Sequence, residues 1–195
     1  PSIRYHPATV AQSAATLALL SGGRFTLGLG AGENLNEHVV GAGWPPPRER
    51  QDMLFEAIDV IQQLWSGEEV SHDGAFYTVD RARLWDIPAT PPVIAVAAGG
   101  PRAAQLTGEK GLGLFSTEPK RELIQRWSEA GGKGPRYAEV PLCWAQDEAK
   151  AVAIARERMR FGLLGWKVMP ELATPEAFEA ATELLRDEDV AQKVA

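Results

Sequence analysis

The chain has 195 residues, of which 45% are hydrophobic and 24% charged, as is typical of a globular protein. Twenty-six acidic residues against 20 lysines and arginines give a net charge of −6, so we expect no general affinity for nucleic acids or membrane surfaces. A single cysteine, Cys143, excludes a disulfide framework and favours a cytoplasmic location. We expect neither a membrane-spanning segment nor a signal peptide.

Hydrophobic periodicity and turn residues divide the chain into alternating helices and strands. The first helix should open at Pro7, bury Val10, Ala14 and Leu17 on one face, and stop at the glycine pair 22–23. The later predicted elements, in chain order, are a strand over 25–29, a helix over 48–65, a β-hairpin around Asp73-Gly74, a strand over 93–97, a helix opening at Pro101, a strand over 111–115, a helix over 120–130, a strand over 137–144, a helix from Asp147 to Arg160 and a helix after Thr174.

The alternation of strands and helices predicts an α/β fold with a parallel sheet. The strand over 93–97 is apolar without alternation, which indicates burial on both faces. Residues 161–174 lack a regular pattern and are interpreted as an irregular insertion. Because ligands of parallel α/β folds bind at the carboxyl ends of the strands, we expect the site in the loops that follow the strands.

Two of these loops contain residues that could bind a ligand or take part in catalysis. Gly99-Gly100-Pro101 opens a helix, which indicates either a phosphate site at the helix N-terminus or a tight turn that needs positive φ. Glu33 follows three closely spaced glycines but stands where a dinucleotide fingerprint needs its third glycine. Glu33 is therefore either an acid or base beside a flat ligand or a solvated loop carboxylate. The residues alone leave both pairs of alternatives open.

Other chemically capable residues point to structural roles. The three histidines, at positions 6, 38 and 72, lack the spacing of metal ligands, so no metal site is expected. Trp65 and Trp127 lie on helix stripes and are predicted to be buried, as is Cys143. Trp44 and Trp144 lie near loop ends and are candidates for lining a pocket.

Residues 24–37 read RFTLGLGAGENLNE, and residues 97–101 read AAGGP. These two motifs resemble the luciferase-like monooxygenase superfamily, most closely its branch of coenzyme F-420-dependent oxidoreductases around the glucose-6-phosphate dehydrogenases. The resemblance extends over almost the whole chain. It implies a hydride transfer between a small-molecule substrate, an alcohol or aldehyde, and coenzyme F-420.

The resemblance also implies a fold. The family has a (β/α)8 barrel, which takes about 250 residues. Residues 1–195 would then form the central portion of such a barrel, with about four parallel strands, their helices and a small β-hairpin, truncated at both ends. We expect this piece alone to be inactive and the full-length protein to be a homodimer.

Site residues follow from the resemblance position by position. Glu33 matches a catalytic carboxylate with a role in proton transfer. The residues that match contacts to the coenzyme are Ala31, Gly32 and Asn36, with Gly99, Gly100, Arg102 and Ala103 around its phosphate-bearing tail. The residues that match or align with contacts to sugar phosphate are Thr117, Lys120 and Lys193.

Two departures bear on the substrate. Met169 stands where the glucose-6-phosphate enzymes have a phosphate-binding lysine, and Lys193 stands where they have an arginine. Lysine lacks the bidentate fork of arginine, so a substrate alcohol, aldehyde or ketone without phosphate is at least as well supported. The alternatives to the leading hypothesis are an FMN-dependent monooxygenase of the same fold and a non-catalytic barrel that binds a phosphate ligand.

Overall fold

The structure, a computed structural model, describes residues 3–116, 120–183 and 185–186. Its α-helices there are α1 (Pro7–Leu20), α2 (Asn34–Glu37), α3 (Pro47–Leu64), α4 (Pro101–Glu109), α5 (Arg121–Glu129), α6 (Glu148–Arg158) and α7 (Pro175–Glu183). Its strands are β1 (Thr26–Leu29), β2 (Val70–Asp73), β3 (Thr78–Ala82), β4 (Val93–Ala97), β5 (Gly113–Ser116) and β6 (Arg136–Ala138). Short 3-10 helices span His38–Val40, Arg160–Leu164 and Met169–Glu171.

The first of two compact units comprises Pro1–Gly32 and Ala42–Glu139 and contains a parallel sheet. The strands lie in the order β1-β4-β5-β6, and each neighbouring pair is parallel. Gly28 pairs with Ala95, which in turn pairs with Gly113. The predicted α/β fold with four parallel strands is therefore confirmed.

The main core of this unit packs α1 and α3 against β1 and β4. The buried face of α1 is lined by alanines, among them Ala11 and Ala14, whereas Leu17 and Leu20 are 46% and 79% exposed. The predicted face is therefore right at Ala14 and at Val10, which packs against the core, and wrong at Leu17. The small alanine side chains allow α1 and α3 to approach closely. At this contact the Trp65 indole donates a hydrogen bond to the Ala11 carbonyl at 2.9 Å.

A second, smaller cluster lies between α4, α5 and β5 in the same unit. Trp127 from α5 is 4% exposed and its indole donates to the Leu112 carbonyl at 2.8 Å. The predicted burial of Trp127 is confirmed, as is that of Trp65, which is 5% exposed. Each indole N–H thus donates a hydrogen bond to a backbone carbonyl, as is usual for a buried tryptophan.

The predicted hairpin is present as β2 and β3, but its turn is the four-residue segment 74–77, closed by a hydrogen bond from the Gly74 N–H to the Tyr77 carbonyl at 3.0 Å. The Glu56 carboxylate of α3 caps this turn by accepting the backbone N–H groups of Ala75, Phe76 and Tyr77 at 2.9 to 3.2 Å. A Cβ at Gly74 would lie 2.1 Å from Glu56 Oε1. Glycine is therefore needed here for close approach of the carboxylate.

The sheet has one face away from the helices. Leu27 and Leu29 of β1 are buried in the core, so Thr26 and Gly28 lie on the opposite face because side chains alternate along a strand. The Thr26 hydroxyl on this face lies 3.5 Å from the hydroxyl of Tyr137 on β6. The Tyr137 ring in turn lies 6.5 Å from the Phe115 ring.

The strand predicted over 137–144 is shorter than expected. β6 spans only Arg136–Ala138, and Pro141 has no backbone N–H with which to continue a ladder. Leu142 and Trp144 are 86% and 83% exposed, and Cys143 is partly exposed. The predictions of a buried Cys143 and of a pocket lined by Trp144 are therefore not supported.

The second unit comprises Glu33–Gly41 and Val140–Ala195. Asp147 caps α6 as predicted, with Oδ1 accepting the Ala149 N–H at 2.9 Å. The Thr174 hydroxyl accepts the Ala177 N–H at 3.3 Å at the start of α7. The irregular stretch predicted over 161–174 holds most of one 3-10 helix and the whole of another.

Candidate active site

The carboxyl ends of β1 and β4 lie side by side in the first unit. A Cβ at Gly30, directly after β1, would lie 3.4 Å from Cβ of Ala97 at the end of β4. Ala31 packs against the core behind this edge, and Gly32 has φ of +84°, a conformation that favours glycine. The loops that carry Ala31, Gly32 and the glycine pair 99–100 therefore leave the sheet at the same edge.

The turn before α4 leads directly into a helix N-terminus. Gly100 is the N-cap, with φ of −144° and no side-chain cap, and Pro101 is the first helical residue. The backbone N–H groups of Arg102 and Ala103 lie in the first turn, where a helix supplies no carbonyl partner. Neither Gly99 nor Gly100 is among the described glycines with positive φ. A turn that demands positive φ is thus not the reason for this glycine pair.

The side chain of Arg102 is held against α3. Nη1 donates to Gln51 Oε1 at 2.7 Å, and Nη2 donates to Asp52 Oδ1 at 2.5 Å. The guanidinium is about one-third exposed. Arg102 therefore keeps a fixed orientation beside the turn, and Asp52 offsets part of its charge.

Glu33 opens the second unit as the N-cap of α2, with extended φ and ψ of −134° and 135°. Its carbonyl accepts the N–H groups of Asn36 and Glu37 at 2.9 and 3.0 Å. Its carboxylate Oε2 accepts the side-chain amide of Asn36 at 3.3 Å. The structure therefore joins two of the predicted site residues, and both side chains are exposed.

Further residues of this loop were not predicted from the sequence. The Asn34 side-chain amide donates to the Glu171 carbonyl at 3.1 Å, and His38 Nδ1 lies 2.7 Å from the Asn34 carbonyl. Glu37 is only 1% exposed. The spacing of Asn34 and His38, four residues apart, was the available signal for a helical turn in this loop.

The predicted substrate contacts are only partly described. Lys120 is the N-cap residue of α5. Thr117 and Lys193 lie outside the described residues. Met169, the position of the departure from the glucose-6-phosphate enzymes, begins the 3-10 helix Met169–Glu171 and is partly buried.

The remaining candidates have structural partners. His6 Nδ1 accepts the Ala8 N–H at 3.2 Å, and His72 Nε2 lies 3.3 Å from Glu56 Oε1. The guanidinium carbon of Arg50 lies 3.9 Å from the centre of the Trp44 ring. No group of three or more His, Cys, Asp or Glu side chains in the described part of the chain could hold a metal ion. Within the same residues, no helix combines the length and apolarity that a membrane span needs.

The sequence model of the luciferase-like monooxygenase family matches residues 1–195. The chain belongs to this family. The family assignment agrees with the resemblance carried by the loop at 24–37 and the turn at 97–101, so the predicted family is confirmed.

Two proteins named as F420-dependent dehydrogenases and one solved structure are similar to this chain. An F420-dependent glucose-6-phosphate dehydrogenase of Beutenbergia cavernae is 40% identical over 80% of the chain. An F420-dependent hydroxymycolic acid dehydrogenase of Mycobacterium tuberculosis is 53% identical over 60% of the chain. A solved F420-dependent secondary alcohol dehydrogenase, in complex with an F420-acetone adduct, superposes with a TM-score of 0.85 over 96% of the chain at 29% identity.

These relatives are longer than the chain. The matched part is 50% of the Beutenbergia enzyme, 32% of the Mycobacterium enzyme and 61% of the secondary alcohol dehydrogenase. The chain thus spans about half the length of the first of these luciferase-like relatives.

Proposed function

We propose that the protein containing this chain is a coenzyme F-420-dependent oxidoreductase that transfers a hydride between the coenzyme and an alcohol or carbonyl substrate. The observation that carries the proposal is the pairing of the Glu33 carboxylate with the Asn36 amide at 3.3 Å, on the loop that follows β1. Identities of 40% and 53% to dehydrogenases named as F420-dependent support it.

The turn before α4 suits the phosphate-bearing tail of the coenzyme. Gly99 and Gly100 present backbone without side chains, so an anion can approach closely. The first-turn N–H groups of Arg102 and Ala103 and the positive end of the helix dipole favour negative charge there. The Arg102 guanidinium, oriented by Asp52 and Gln51, adds a positive charge beside the turn.

The coenzyme, when bound, carries the hydride at its ring carbon, and the protein supplies positioning and protons. We assign Ala31 and Gly32 to the backbone that lies against the ring, where small residues leave room for a flat ligand. Glu33 gives a proton to, or takes it from, the substrate oxygen. Asn36 donates a hydrogen bond to Oε2 of that carboxylate at 3.3 Å, and we assign the proton transfer to the other oxygen, Oε1.

For the substrate we propose an alcohol, aldehyde or ketone without a phosphate group. Met169 offers a thioether in place of a cationic side chain at the start of its 3-10 helix, and a thioether neutralises no phosphate charge. Lys120, Thr117 and Lys193 remain the proposed polar contacts to the substrate. A secondary alcohol and the matching ketone are the first substrates to test, with glucose 6-phosphate as the comparison.

The first test is a titration of the full-length protein with coenzyme F-420 and with FMN, followed by turnover assays. We expect saturable binding of F-420, followed by reduction of bound F-420 by the alcohol. Tight binding of FMN without binding of F-420 would instead support a flavin monooxygenase. Failure to turn over with either coenzyme would support a non-catalytic barrel that binds a phosphate ligand.

The variant Glu33→Gln tests the role of the carboxylate. It keeps the shape of the side chain but removes the base, so kcat should fall by about 10²- to 10⁴-fold while the dissociation constant of F-420 stays unchanged. Glu157→Gln on the exposed side of α6 is the matched control. Unchanged turnover in Glu33→Gln would remove Glu33 from the mechanism.

We further propose that the full-length protein is a homodimer of the cytoplasm. The only cysteine of the chain, Cys143, is a free thiol, which suits a reducing compartment. Cell fractionation, with the protein in the cytoplasmic fraction, tests the location.

A further inference from the structure

The loop that carries Glu33 is tied down by a side chain that the proposed chemistry does not use. α2 is a single helical turn, Asn34–Glu37, and so short a helix is not stable by itself because nucleation is costly. Its place must be fixed by contacts outside the turn. Asn34, the residue directly after Glu33, makes such a contact with the 3-10 helix Met169–Glu171.

The contact has a defined chemistry. Asn34 Nδ2 donates to the carbonyl oxygen of Glu171 at 3.1 Å. A carbonyl only accepts hydrogen bonds, so the partner must present an N–H or O–H. The asparagine amide supplies this donor, whereas an aspartate at position 34 would place two acceptors face to face.

The same residue fixes the turn through its backbone. His38 Nδ1 lies 2.7 Å from the Asn34 carbonyl, while the Glu33 carbonyl accepts the N–H groups of Asn36 and Glu37. Asn34 therefore links two anchors, one at Glu171 and one within the loop. The direct bond to the Glu33 carboxylate, from Asn36, is long at 3.3 Å and by itself constrains the carboxylate weakly.

We propose that Asn34 is a positioning residue that holds the Glu33 carboxylate in place by tying its loop to the helix Met169–Glu171. The proposal rests on the proposed function of Glu33. Asn34 reaches Glu171 through its side chain and is assigned no contact with coenzyme or substrate. A displacement of about 1 Å at a reacting group costs on the order of 10²-fold in rate, so loss of this tie should lower turnover without weakening coenzyme binding.

The test uses Asn34→Ala, Asn34→Asp and Asn34→Gln in the full-length protein. Alanine removes the amide, aspartate keeps the shape without the donor, and glutamine keeps the donor on a longer chain. We expect kcat to fall about tenfold or more in the alanine and aspartate variants and to recover partly in the glutamine variant. KM and the F-420 dissociation constant should change less than about twofold, which is the size of effect expected of a neutral surface substitution.

A second measurement needs no coenzyme. Hydrogen exchange of the peptide covering 33–41 should speed up about tenfold in Asn34→Ala, because the N–H groups of Asn36 and Glu37 lose their ordered acceptor. Gln125→Ala is the matched control, since it removes an exposed side-chain amide that donates to Glu129 at 2.8 Å. Its kcat and its exchange over 33–41 should equal those of the parent.

The outcomes separate the two proposals. Unchanged exchange over 33–41 in Asn34→Ala would overturn the tie, whatever the activity. Faster exchange with unchanged kcat would overturn the positioning role. If the parent protein shows no turnover with F-420, the proposed function fails, and the positioning role in catalysis fails with it, while the exchange data still decide whether Asn34 holds the loop. Circular dichroism of each variant shows whether it is folded.

Discussion

At the scale of single residues, the Arg102 side chain links the first turn of α4 to α3. Its guanidinium bonds Gln51 and Asp52 on α3, yet it belongs to the first turn of α4, where the coenzyme tail is proposed to bind. The pairing is half-exposed, so it contributes little to stability by itself. The two hydrogen bonds instead fix the orientation of the planar Arg102 guanidinium before a ligand binds.

Replacing Arg102 by lysine should therefore weaken coenzyme binding more than it weakens the fold. Lysine keeps the charge but cannot bond Gln51 and Asp52 together. We expect the dissociation constant of F-420 to rise about tenfold, the value of one charge-assisted hydrogen bond, measured by coenzyme fluorescence. Arg126→Lys, on the exposed side of α5, is the control and should bind like the parent. Equal affinity in the two variants would contradict the role of the guanidinium.

For single residues, the sequence predicted the structure correctly where a motif determines the local backbone conformation. The glycine pair 99–100 and Pro101 specified a helix N-terminus, and the structure has it there. Asn34 and Glu37 were missed because their roles depend on what packs around the loop. A polar residue in a loop is usually solvated, and the sequence alone does not show that Asn34 meets Glu171, which lies 137 residues further along.

At the scale of elements, α3 holds the hairpin through one carboxylate. Burial alone would raise the pKa of Glu56, but hydrogen bonds from the backbone N–H groups of Phe76 and Tyr77, from the His72 side chain and from the Ala75 N–H together lower it below its usual value. These donors favour the charged form. The hairpin is therefore docked most firmly when Glu56 is ionised.

This shift predicts a dependence of stability on pH. Because the pKa of folded Glu56 is depressed, its contribution is complete above the unfolded value of 4.5 and is lost as the pH falls through the folded pKa. Glu56→Gln should therefore be less stable than the parent at pH 7, and the difference should shrink as the pH falls below 4.5. Urea denaturation at several pH values measures it.

The matched control is Glu69→Gln, an exposed carboxylate just before β2. It should leave the pH dependence of stability as in the parent. A stability difference between Glu56→Gln and the parent that does not change with pH would show that packing, rather than charge, is what Glu56 contributes.

The order of the elements was largely predictable, but their faces and ends were less so. α3 and β4 match their predictions to within a residue because long periodic or uniformly apolar stretches leave few alternatives. The face of α1 was mistaken at Leu17 because a large leucine is readily assigned to the core, whereas the side that packs against α3 is lined by alanines. β6 ends at Ala138, before Pro141, which has no backbone N–H with which to continue a ladder.

At the scale of the whole molecule, the described sheet has two outer strands, β1 and β6. Outer strands present backbone groups that pair readily with other chains. We therefore expect the isolated 195-residue chain to self-associate increasingly with concentration and the full-length protein to sediment as a single dimer. Sedimentation velocity over a hundredfold range of concentration distinguishes these behaviours. An isolated chain that stays monomeric throughout would contradict the first expectation.

The contact between the hydroxyls of Thr26 and Tyr137 measures how strongly the sheet is rolled. In a flat sheet, strands three places apart are about 14 Å from each other and their side chains project in parallel. Two hydroxyls on the outer strands of such a sheet would not meet. Here they do, so the four strands follow an arc whose inner side chains converge on a common axis. The curvature of a closed barrel is thus already present in these four strands, and the Thr26–Tyr137 distance is a direct gauge of it.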